Sequence, residues 1–231
     1  MDKIIRPLLI LAVCSVLAVV AWYLMLPWAT VRCRLIIEAE AAGRPLTGSG
    51  VIEVRYQKQP TWLSGRYSSS RAHGQSVWID VPGEGPIFAL TMSEKRFSAY
   101  DFLPRAAFAV SDLDSLGKFL QLSRLSGRRE LPLENWPMFV RFQNLRDPTS
   151  VEGIDPDELA VGASPVTAAR VTKIWVEITR DPITTGIDEK LPAMTVMRAT
   201  RRIAGDPRLW PAPGRRRIEI SPDYLSREDK L

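Results

Sequence analysis

The 231-residue chain has one histidine, His73, in "SSSRAHGQS", just beyond three serines. A serine nucleophile, a histidine base and an orienting aspartate make up the machinery of many hydrolases. Ser68, Ser69 or Ser70 could nominally serve as the nucleophile beside His73. No G-x-S-x-G elbow exposes any of them, and "TGSG" at 47–50 is not that motif. The residue types therefore favour a solvated loop histidine. A hydrolase using His73 or a carboxylate as base stands as the alternative.

Carboxylates are the second chemical resource. Glu38 and Glu40 share one face of an alternating segment, with Arg55 expected across from them. Paired acids can cleave glycosides. A cross-strand surface ion pair accounts for the same pattern. Asp147, Glu152, Asp155, Asp157 and Glu158 offer oxygens to a hard cation. They lack the spacing D-x-[DN]-x-[DN]-G, and Pro156 interrupts them, so capping of a helix start explains them better. One histidine and two cysteines cannot assemble a zinc site. The phosphate-cradling patterns G-x-x-x-x-G-K-[ST] and G-x-G-x-x-G are absent. No catalytic, cofactor or metal residue is assigned, and no cofactor is expected.

The formal net charge is +5, from 31 basic and 26 acidic residues. So small an excess suits a mixed, solvated surface and predicts no nucleic-acid partner. The densest basic zone is "GRRR" at 214–217, with Arg198, Arg201 and Arg202. If the main domain faced the cytoplasm, that zone could meet anionic lipid or nucleic acid, which is a further alternative.

The elements that must hold these residues begin with an apolar run. Residues 7–31 carry no charge, enough length for one membrane-spanning helix. Trp22, Tyr23 and Trp28 gather at one end, as interfacial aromatics do, and Pro27 is a natural stop. The run is longer than a signal peptide's apolar core and lacks a small-residue cleavage site. This reading gives an anchor over 1–32, contact with a lipid bilayer through 7–31, and Cys33 placed to cross-link two copies beside it.

Beyond the anchor, "RLIIEAE" and "VIEVRYQ" alternate with period two and form a hairpin across a turn-rich loop, in which "GSG" supplies turn or bulge geometry. "VWIDV", "PGEGP" and "IFALTM" make a second hairpin. Ser111 and Asp114 suggest a capping box for a helix with Leu113, Leu116 and Leu120 on its core face. Asp155 and Pro156 open a short helix, and residues 169–180 form the strongest strand. The expected class is α+β: an N-terminal transmembrane helix, then one β-rich domain with a largely antiparallel sheet and one or two short helices over 33–195. A basic, Pro/Arg-rich tail occupies 196–231, where Ile218 and Ile220 could add a strand.

"DPITTGIDEKLP" at 181–192 follows that strongest strand. Thr184, Thr185, Gly186 and Ile187 make the turn, and loops on rigid strands often carry recognition. Removing these four residues should spare the fold and abolish partner binding.

The "GSGVIEV" hairpin, "WPMFVRFQNLRDPTSVEGIDPDELA" and "TKIWVEITRDPITTGIDEKLP", with the apolar run, resemble a group of uncharacterised, N-terminally anchored bacterial membrane proteins. The resemblance extends to about Pro192 and implies a bacterial inner-membrane location. It brings no activity or functional residue. Together these readings give a single-pass envelope protein with a cytoplasmic N terminus. Its periplasmic domain would bind or scaffold an unidentified protein partner.

Overall fold

The computed structural model describes residues 13–20, 28–59, 67–91, 99–111, 113–200, 223 and 225–227. Its framework is the hairpin of β1 (Trp28–Ala41) and β2 (Arg44–Lys58). Period-two patterning explains β1 from end to end. Ala29, Val31, Cys33, Leu35, Ile37, Ala39 and Ala41 are buried, while the residues between them face outward. The turn is tighter than the sequence suggests. Ala41 pairs directly with Arg44, and both Ala42 and Gly43 take positive φ, which suits the twist of a two-residue hairpin.

β3 (Ser68–Gln75), β9 (Arg170–Ile178), β6 (Arg128–Glu130) and β10 (Ser226–Arg227) complete a six-stranded sheet in the order β10-β3-β2-β1-β9-β6. A second sheet has the order β4-β5-β7-β8, from β4 (Val77–Val81), β5 (Gly85–Ala89), β7 (Phe139–Phe142) and β8 (Val151–Ile154). Every pairing in both is antiparallel. The inner faces share one core, in which Leu35, Ile37, Ile52 and Val54 join Val77, Ile79, Ile87 and Phe139.

Three helices fill the flank of that core: α1 (Ala99–Ala107), α2 (Leu116–Ser123) and α3 (Pro156–Val161). α3 starts where its sequence places it, with the Asp155 side chain accepting from the Asp157 amide at 2.8 Å. α2 begins at Leu116, after Ser115, and no side chain caps it. Leu113, Phe119 and Leu122 are buried, whereas Leu116 and Leu120 are exposed, so the expected core face is rotated. The other side of the second sheet packs Phe88, Val140 and Phe142 against α4 (Ile187–Lys190) and α5 (Ala193–Thr200).

These observations correct the expected class. Among the described residues the fold is mostly β, with two antiparallel sheets and little helix, rather than α+β. Among the described residues no helix is long and apolar enough to cross a membrane; the apolar stretch that is described as helical covers only residues 13–20. Trp22 and Tyr23 lie outside the described residues. Trp28, expected at a membrane interface, is the exposed first residue of β1. The physical reason is local. After Pro27 the chain alternates as Trp-Ala-Thr-Val-Arg-Cys-Arg, and burying every second side chain beneath a sheet satisfies that pattern, while a helix does not. The inner-membrane location and the orientation assigned to the domain rested on that span and on the resemblance.

α5 runs across residues 195 and 196, and Leu225 packs in the core of the second sheet. Ile218, Ile220, Arg201, Arg202 and the "GRRR" stretch lie outside the described residues.

Candidate functional site

The 181–192 segment is a keystone between the sheets. β3 and β4 are separated by Ser76 alone, so the chain leaves one sheet and enters the other within a single bend. Gly74 takes φ +150° there, and a Cβ on it would lie 2.8 Å from Ile52 Cγ2. Beyond Glu53 the β3 edge of β2 is therefore left without its strand partner, and Thr184 fills the place. Its amide donates to the Val51 carbonyl at 3.1 Å, and its Oγ1 accepts from the Val51 amide at 2.8 Å. The Ile187 amide donates to the buried Gln75 Oε1 at 2.9 Å, and the Ile187 side chain is fully buried. Tyr100, also fully buried, brings its hydroxyl within 3.3 Å of the Val77 amide and of the Gln75 and Ala89 carbonyls. Of the four proposed recognition residues, Thr185 alone is exposed; Thr184 and Gly186 are half-buried, with Gly186 at φ +109° where an L side chain is strained.

The possible catalytic groups are held apart. Ser69, Arg71 and His73 alternate along the outward face of β3. Four residues of strand separate Ser69 from His73 by about 13 Å, well outside hydrogen-bond reach. Ser69 Oγ instead accepts from Gln59 Nε2 at 2.8 Å. Glu38 and Glu40 face outward as expected, but neither pairs with Arg55. Glu38 takes Arg128 at 2.7 Å and Glu40 takes Arg170 at 3.4 Å. The reason is register, since Glu38 lies opposite Thr47 while Arg55 lies opposite Thr30. Asp147 caps a 3₁₀ turn through the Thr149 amide, and Glu152 accepts from Gln143. Among the described residues no three His, Cys, Asp or Glu side chains group as metal ligands would.

The most structured polar cluster is one that the motifs and spacing of the sequence do not single out. Glu53 points to the outward face, yet only 3% of it is exposed. Its Oε2 accepts from Arg32 Nε at 2.7 Å and its Oε1 from Arg55 Nε at 2.9 Å. Burial raises the Glu53 carboxyl, but the bonds and charges of the two arginines outweigh it and hold the group below the ordinary carboxylate range. Glu53 is therefore an anion at neutral pH. In register, Arg32, Glu53 and His73 form one row across β1, β2 and β3, and Arg55 lies opposite Arg71 in the next. Arg34, one step along β1, pairs with Asp181, whose carboxyl is lowered by the Thr179 hydroxyl and by Arg34. Alternation in the sequence places Glu53 and Arg55 on one face of β2, but the pairing with Arg32 follows from the observed turn. A two-residue turn at Ala42–Gly43 dictates the Arg32–Glu53 pairing.

The opposite half of this face is neutralised pair by pair, through Arg128 with Glu38, Arg170 with Glu40 and Lys173 with Glu130. Arg128 also lies 4.4 Å above the Trp175 ring.

Cys33, expected near a bilayer as a cross-linking thiol, is fully buried on the inner face of β1, where burial pushes its pKa up to about 12. Iodoacetamide should label Cys14, which is exposed, in the native protein and leave Cys33 untouched until the chain is denatured. Mass spectrometry of the two states checks this, and native labelling of Cys33 would contradict its placement.

Comparisons with protein-family models, with curated proteins and with solved structures gave no match. The resemblance to anchored bacterial membrane proteins thus gains no support from them.

Proposed function

We propose that this protein is a non-catalytic binding domain whose working surface is the outward face of the six-stranded sheet, and that its partner is anionic. The observation that carries this reading is the charge asymmetry of that face. On the β1–β2 half, two arginines, Arg32 and Arg55, share the single carboxylate of Glu53. The other half balances its charges. A rigid sheet with one unbalanced half favours steering and orienting a partner of opposite sign. The separation of Ser69 from His73 weighs against the hydrolase reading.

Site-specific photo-cross-linking in cells tests it. A cross-linking residue at Thr30 or Gln57, both on the outward face, should give a discrete adduct. One at Glu134, exposed in the turn before β7, should not. Equal adducts from both faces, or none from Thr30 and Gln57, would overturn the assignment.

A further inference from the structure

We infer that Arg32 and Arg55, held apart and oriented by Glu53, form a binding site for a phosphate group. The inference rests on the outward face being the working surface, and it names the chemistry of the ligand.

Both arginines reach Glu53 through Nε, one to each carboxylate oxygen. A guanidinium has five N–H donors, so each arginine spends one and keeps its two terminal nitrogens for another acceptor. Arg32 and Arg55 are 42% and 63% exposed at the side chain, whereas Glu53 is 4% exposed there. The carboxylate thus lies beneath two forks that open to solvent. Being buried and hydrogen-bonded on both oxygens, Glu53 fixes the guanidinium ends of side chains that would otherwise lose considerable rotamer freedom on binding.

The charge balance points the same way. One carboxylate cannot neutralise two arginines, and among the described residues both Arg32 and Arg55 bond to Glu53 alone of the carboxylates. An anion above the pair would balance the remaining positive charge. The two guanidiniums are held on different oxygens of Glu53, and a phosphate has acceptors for both, whereas a single fork already satisfies a planar carboxylate. Glu53 is the positioning residue; Arg32 and Arg55 make the contacts.

The test is titration calorimetry of the full chain with inorganic phosphate at ionic strength held constant with chloride. Saturable binding is expected, weakened about tenfold or more in Arg55→Gln and in Arg32→Gln, a loss on the scale of one charge-assisted contact. Glu53→Gln separates positioning from bulk charge. Removing a negative charge would tighten phosphate binding if charge alone mattered, whereas loss of orientation should weaken it. Thermal melting of each variant shows that it is folded, and Arg55→Gln alters an exposed side chain, so it remains informative if Glu53→Gln melts early. Co-sedimentation with phosphatidylcholine vesicles, with and without phosphatidic acid, separates the sources. Binding to both phosphate and phosphatidic acid vesicles indicates a lipid headgroup; binding to phosphate alone indicates a soluble phosphate ligand. Absence of saturation below about 10 mM phosphate, or Arg55→Gln equal to the wild type, would overturn the inference. If that happens while the Thr30 adduct persists, the binding surface stands and only its ligand chemistry falls.

Discussion

Adding one methyl group at Gly48 is expected to cost about 3 kcal/mol or more of folding stability, among the largest effects of any single small-to-large change here. An ideal Cβ on Gly48 would lie 2.1 Å from the Trp78 carbonyl oxygen and 2.9 Å from its carbonyl carbon. Both are backbone atoms of β4, so no side chain can rotate out of the way. The two sheets would have to separate locally, opening the core between Ile52 on one side and Val77 and Ile79 on the other. Gly50→Ala meets only Val77 Cγ2 at 2.9 Å and should cost less, about 1–2 kcal/mol. Gly117→Ala is the control. It lies in α2 with nothing nearer than Ser115 Oγ at 4.0 Å, and it should stabilise by about 0.5–1 kcal/mol. Thermal and urea unfolding of the three variants measures this order, and a Gly48→Ala protein as stable as wild type would show that β4 does not cross β2 so closely.

Ile187→Ala is expected to cost about 2–4 kcal/mol. Its side chain is fully buried with Phe88, Leu191 and Met194 under the second sheet, and its amide bond to Gln75 ties α4 to the bend between β3 and β4. Thr184→Val should cost about 1–2 kcal/mol, because it leaves the half-covered Val51 amide without its acceptor. Thr185→Ala, at the exposed turn position, should be near neutral. This profile reverses the sequence-based expectation that residues 184–187 can be removed without harm to the fold. Denaturant midpoints for the three variants decide it; a near-neutral Ile187→Ala would restore a free recognition loop.

The two expectations differ for an identifiable reason. Pro182, the threonines and Gly186 do form a turn, as their residue types require. Residue types do not say that the turn fills the space left where β3 swings away from β2. The "GSG" stretch misleads similarly. Glycine signals either a bend or close approach, and only the crossing of β4 over Gly48 chooses between them.

The alternation of β1, β2 and β9, the hairpin of β4 and β5, the Asp155 cap, and the place of Arg55 and Glu53 on the outward face of β2 are all legible in the residues themselves. Those are local matters, settled by the period of apolar residues and by side chains bonding to nearby amides. Tertiary structure alone decided that β1 starts at Trp28 and carries Cys33 in the core, that the hairpins separate into two sheets, and that Arg32 meets Glu53. Such pairings depend on register across distant segments. A two-residue difference in one turn changes every cross-strand partner, while the alternation pattern that a sequence displays stays the same.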